Sequence, residues 1–109
     1  MNINLSEFSQ LHRNWSEYNF PGQSPQESFE GMVEELGELA HARLKNRQGI
    51  RKGNIDWVNK EKDALGDMFI YWLDYCNRSG YDAEQIIKDT WDEIKDRDWR
   101  EYPKNGRTE

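Results

Sequence analysis

Five acidic residues fall in two tight groups: Glu34, Glu35 and Glu38 in Glu34-Glu35-Leu36-Gly37-Glu38, and Asp63 and Asp67 in Lys62-Asp63-Ala64-Leu65-Gly66-Asp67. Residues three or four apart share a helix face, so Glu35 points with Glu38 and Asp63 with Asp67. Val33, Leu36 and Leu39 flank the first group, and Leu65, Met68 and Phe69 the second, which sets the carboxylates near a buried edge. If the two helices pack antiparallel, four or five carboxylates meet, and their repulsion in a low dielectric requires a cation. Hard oxygen ligands select Mg²⁺ or Mn²⁺. Gly37 and Gly66 each cost a helix roughly 1 kcal/mol relative to Ala, and a close approach of backbone or ligand beside the acids would account for both.

Four helices are expected to position these groups, in an all-α fold. Leu5, Phe8, Leu11, His12 and Trp15 have helical spacing over Leu5 to Tyr18. The segment Asn19-Phe20-Pro21-Gly22-Gln23 ends that helix. Ser24-Pro25-Gln26-Glu27 opens the second, with Ser24 as N-cap, Pro25 in the first turn and Glu27 placed to close a capping box. It runs to Asn46, and a basic, glycine-containing loop with Arg47, Arg51 and Lys52 follows, able to close over an anion. The third helix spans Asp56 to Ser79 with Gly80 as its C′ residue; its apolar stripe is too broad for one-sided cover, which makes it the centre of the bundle. Asp82-Ala83-Glu84-Gln85 starts the fourth, and Tyr102-Pro103-Lys104-Asn105-Gly106 cannot extend it, so residues 99–109 read as an exposed tail of a single domain over 1–109.

Composition narrows the class further. The chain has 109 residues and a net charge of −6, with 33% charged and 35% hydrophobic residues. A lone copy buries only a thin core, so association into a homodimer or homotetramer is expected to complete it. Five Trp and an aromatic share of 13% argue against disorder throughout. The apolar run Met68 to Leu73 is far short of the roughly 20 residues that span a bilayer, which excludes a membrane partner. Asn2, Asn4, Ser6 and Glu7 precede any basic residue, unlike a secretory leader, and the single Cys76 suits a reducing compartment, so a cytoplasmic location is expected. The acidic balance argues against a nucleic-acid partner.

The stretches Glu34-Glu35-Leu36-Gly37-Glu38-Leu39-Ala40 and Asp63-Ala64-Leu65-Gly66-Asp67-Met68-Phe69-Ile70-Tyr71 resemble the MazG-like branch of the all-α nucleoside triphosphate pyrophosphohydrolases. The resemblance covers roughly residues 5 to 103 and implies a four-helix bundle with an E-x-x-E motif on one helix and an E-x-x-D motif on the next, both binding Mg²⁺. Glu35 and Glu38 match the first motif, with Glu34 as the preceding acid. Asp67 matches the end of the second, but Ala64 stands where the family has Glu, leaving Asp63, or Glu61 as a fallback, to supply that ligand.

The implied reaction is attack of water at the α-phosphorus of a nucleoside triphosphate, giving monophosphate and pyrophosphate, with Glu35 or Glu38 as general base. Lys95 and Arg97 match the family's basic pair near the end of the fourth helix and would stabilise the pyrophosphate. Thr90 and Ile94 stand where the family has Lys and Asn, so Lys45, Arg51 and Lys52 are possible substitutes. A nucleobase needs an apolar slot with a few polar groups, for which His12, Trp15, Phe20, Trp57 and Tyr71 are available; the resemblance favours His12, Trp15 and Phe20. Two other readings compete. Glu38-Leu39-Ala40-His41 is one E-x-x-H motif of the two that a carboxylate-bridged di-iron bundle needs, and a non-catalytic helical interaction module would merely solvate its acids.

Overall fold

The computed structural model describes residues 4–108. Asn2, used above, lies outside them. All regular structure among the described residues is helical: α1 (Leu5–Asn19), α2 (Pro25–Gln48), α3 (Trp57–Arg78) and α4 (Ala83–Ile94). No helix among them is long and apolar enough to cross a membrane.

The ends of the helices follow local side-chain chemistry. Asn4, Asp56 and Asp82 cap α1, α3 and α4 by accepting from the backbone N–H of Glu7, Asn59 and Gln85, each at 3.1 Å. Ser24 is the N-cap of α2 and Pro25 its first residue, but the expected capping box does not form: the Ser24 side chain makes no cap bond. Gly80 does occupy the C′ position of α3. At φ 76° it allows Gly80 N–H to reach Asn77 O and Tyr81 N–H to reach Cys76 O, the two bonds of a Schellman ending.

Helices α2 and α3 form the long body. Ser28 bonds Asp74, Gly31 faces Tyr71 and Arg43 pairs with Glu61, an order that runs oppositely along the two helices and makes them antiparallel. The Tyr71 ring lies where a Cβ on residue 31 would stand, so the glycine is what lets the helices approach there. As expected, α3 is central: it meets each of the other three helices, while α1 meets α4 and α2 approaches α3 alone. The core is small. Its buried apolar residues are Ala42, Trp57, Ala64, Leu73, Cys76 and Ala83, with Leu5, Phe8 and Trp72 packed around the cluster at the α3–α4 corner.

Beyond α4 the chain turns back. Asp98 N–H donates to Gly106 O at 2.7 Å, and the Arg107 guanidinium returns to the Glu93 carbonyl and carboxylate at 2.5 and 2.6 Å. Residues 99–108 are mostly exposed, as expected, yet folded against the end of α4.

Candidate functional site

The first acidic group gathers on α2 itself, within a turn and a half of one helix. Glu34, Glu35 and Glu38 each offer a carboxylate oxygen within 4.8 Å of the others, with Glu35 buried in the seam against α3 and its neighbours exposed. Burial pushes the Glu35 carboxyl above its ordinary value, and the charges of Glu38, Asp67 and Glu34 push the same way. One Glu35 oxygen, Oε2, is buried and finds no hydrogen-bond partner among the described residues. A buried acceptor without a donor costs about 1–3 kcal/mol. A hard divalent cation would satisfy that oxygen and screen the three like charges, so the residues present fit such an ion.

Asp67 shares a cavity with Glu35. It is outside the close triad of oxygens but near enough to raise the Glu35 carboxyl. Asp63 does not line the cavity that holds Glu35; it lines a second groove with Phe8, Lys62 and Asp67, so that Asp67 borders both. Glu61 is committed elsewhere, paired with Arg43 at 3.3 Å. The expectation that Gly37 and Gly66 mark a close approach is corrected, since a Cβ at either would meet nothing within 4 Å. The close approach is at Gly31 instead.

The cavity containing Glu35 and Asp67 has a volume of about 300 Å³, and His12, Trp15, Phe20 and Tyr71 also line it. Trp15 meets Phe20 edge-on, with centroids 5.9 Å apart, and His12 is tilted against Trp15 at 6.1 Å. Burial lowers the His12 pKa, the Asp74 charge opposes that and the Arg78 charge adds to it, leaving a neutral imidazole at pH 7. His12 Nδ1 is buried and has no hydrogen-bond partner among the described residues. Tyr71 stays a neutral phenol, its pKa raised by burial and by the charges of Glu34 and Glu35. Trp57 is not part of this wall. It is buried at the other end of α2–α3, donates to Ile50 O at 2.7 Å and sits edge-on to His41 at 5.6 Å.

No lysine or arginine lines this cavity among the described residues. Lys95 pairs with Asp92 at 3.2 Å, and Arg97 pairs with Glu93 at 3.4 Å and lies 5.9 Å over the Trp99 ring. Within one chain the structure therefore does not join them to the acids. Lys45 is ten residues along α2 from Glu35, about 15 Å at 1.5 Å per residue, and the loop carrying Arg51 and Lys52 lies beyond it. His41, the histidine of the E-x-x-H pattern, is outside the carboxylate triad.

A buried network missed by the sequence reading holds the cavity wall in place. Asp74 accepts from Ser16 Oγ at 2.6 Å, Ser28 Oγ at 2.5 Å and Gln23 Nε2 at 3.2 Å, and pairs with Arg78 at 3.0 Å. Arg78 donates onward to the carbonyls of Ser16, Phe20 and Gln23. Burial alone would raise the Asp74 carboxyl; the Ser16 and Ser28 hydroxyls and the Arg78 charge outweigh it and hold the group below its ordinary value. One ion pair thus ties α1, the α1–α2 turn, α2 and α3 together. The available signal was an acid inside an apolar run with an arginine four residues on.

No family model, no curated protein and no solved structure matches this chain.

Proposed function

We propose that this chain is a Mg²⁺-dependent nucleoside triphosphate pyrophosphohydrolase of the MazG-like all-α kind, working as a homo-oligomer with its helices in a four-helix bundle arrangement. The observation that carries the reading is one cavity in which four side chains suited to a nucleoside, His12, Trp15, Phe20 and Tyr71, stand beside Glu35 and Asp67. A volume of about 300 Å³ is at the small end of ligand sites and suits a nucleoside with its phosphates extending onto the acids.

In this reading Trp15 and Phe20 hold the base by its faces, and neutral His12 and Tyr71 offer hydrogen bonds to its edge. Glu34, Glu35 and Glu38, with Asp67 beside them, would hold the metal. When bound, the ion supplies Lewis acidity at the phosphates and neutralises their charge against an acidic protein. Glu35, whose carboxyl is raised above its ordinary value, is the better of the two bases to take a proton from water. With no lysine or arginine lining the cavity among the described residues, charge neutralisation would fall to the metal, and the roles expected for Lys95 and Arg97 require them to reach the phosphates from another copy or after rearrangement.

The test is product analysis. Purified protein incubated with canonical and modified (d)NTPs and Mg²⁺ is expected to release monophosphate and pyrophosphate from at least one of them. Orthophosphate release, or no turnover across the panel, contradicts the reading. Extensive exposed apolar surface favours, as a second reading, the non-catalytic interaction module, for which Mg²⁺ would change neither products nor stability.

A further inference from the structure

Helix α1 carries no base in its last turn. Its terminal carbonyls stand at the negative end of the helix dipole, where a cation is favourable. Arg78, on α3, supplies one from across the molecule. Its Nη2 donates to Ser16 O at 3.2 Å and to Phe20 O at 3.0 Å, and its Nη1 to Gln23 O at 2.7 Å. The remaining donor, Nε, goes to Asp74 at 3.0 Å, and both side chains of that pair are 6% exposed. The ion pair thus aims the guanidinium, and the rest of its donors are committed to the end of α1 and the turn that follows.

That turn makes one wall of the cavity. Phe20 and Gln23 line it together with Trp15, and Gly22, at φ 75°, carries the chain round between them. Little else anchors this wall: Trp15 and Phe20 are 54% and 49% exposed, and α1 does not approach α2 directly. The other wall, with Glu35 on α2 and Asp67 and Tyr71 on α3, belongs to the antiparallel pair. The width of the slot is therefore set by polar bonds at both ends of the turn: Phe20 O and Gln23 O on Arg78, and Gln23 Nε2 on Asp74 at 3.2 Å.

A slot held at a fixed width spares a ligand the cost of ordering its own binding wall. Arg78 does not itself line the cavity. We propose that Arg78 is a positioning residue for ligand affinity: by capping α1 and pinning the turn at residues 20–23 it fixes the aromatic wall against which a nucleobase packs, without touching the ligand. The proposal rests on the nucleoside reading of the cavity and adds to it a residue that governs binding and not the chemical step. Lysine is no substitute, because one ammonium cannot serve a carboxylate and three separate carbonyls at once.

Arg78→Lys in the full chain tests it, by steady-state kinetics on the (d)NTP that the wild type hydrolyses fastest with Mg²⁺. KM is expected to rise roughly tenfold, with kcat within about twofold of wild type. Ala42→Gly, buried on α2 about two turns from Glu35 and away from the cavity, is expected to lower stability and leave KM unchanged, so lost stability alone does not mimic the effect. Amide hydrogen exchange on the wild type needs neither a variant nor a nucleotide, and decides the matter if the lysine variant fails to fold. The Phe20 and Gln23 N–H groups, bonded to Ser16 O and Phe20 O, are expected to exchange as slowly as the middle of α3, because the turn opens only when the Arg78 bonds break. Exchange there as fast as in an unfolded chain overturns the proposal, as does an unchanged KM for Arg78→Lys in a protein whose wild type turns over nucleotide. A wild type that turns over none of the nucleotides overturns the nucleoside reading and the proposal with it.

Discussion

Replacing Glu35 by glutamine should stabilise the metal-free protein and abolish its response to magnesium. The three carboxylate oxygens lie within 4.8 Å of one another. At such separations a pair of like charges costs about 1 kcal/mol in water and about 3–4 kcal/mol at an effective dielectric of 20. Glu34 and Glu38 are exposed, so the lower figure applies. Removing the Glu35 charge relieves both of its pairs, for about 2 kcal/mol, or about 10 °C in Tm for a domain of this size. The sign with pH follows from the raised Glu35 carboxyl. Its folded pKa is above the unfolded one, so the wild type loses stability as pH rises through the raised value, and the advantage of the variant shrinks again when pH is lowered. Mg²⁺ at tenfold its Kd should restore about 1.4 kcal/mol to the wild type and nothing to the variant. Melting curves with chelator and with Mg²⁺, at matched ionic strength, read both effects. A Glu35→Gln protein that melts at or below the wild type in chelator, or that keeps the magnesium shift, refutes the reasoning.

Three further outcomes follow. Asp74→Ala leaves Arg78 buried without its partner and should cost about 3–5 kcal/mol, read as a lower denaturant midpoint; because the Asp74 pKa is depressed, the contribution is present above the ordinary carboxylate range and lost as acid titrates it, so at low pH wild type and variant should converge. Gly37→Ala meets open space and should stabilise α2 by about 0.5–1 kcal/mol, whereas Gly31→Ala drives a methyl into the Tyr71 ring and should destabilise; equal effects of the two would contradict the packing at Gly31. Trp15→Ala should raise KM for a nucleotide substrate about tenfold through lost stacking, with kcat changed far less.

Much of the architecture was legible because it is local. Helix boundaries came out within about two residues, since Asp56, Asp82, Pro25 and Gly80 act on the backbone next to them. The grouping of Glu34, Glu35 and Glu38 was legible for the same reason, as three residues within a turn and a half of one helix. What needed the fold was relative placement. That Asp67 lines the cavity of Glu35 while Asp63 does not depends on how α3 is rotated against α2, which spacing along α3 alone does not fix. Trp57 and Trp15 look alike in sequence, yet one closes the α2–α3 loop and the other walls the cavity. The Asp74–Arg78 pair was hidden because its hydroxyl partners, Ser16 and Ser28, are distant in the chain. Gly37 and Gly66 misled because a glycine beside acids marks a close approach only when another element is actually there.

The most direct measurement of the central claim is hydrolysis of a turned-over nucleoside triphosphate in ¹⁸O-labelled water with Mg²⁺, followed by mass analysis of both products. Attack at the α-phosphorus predicts one labelled oxygen in the monophosphate and none in the pyrophosphate. Label in the pyrophosphate, or a wild-type rate no different from that of Glu35→Gln, contradicts it.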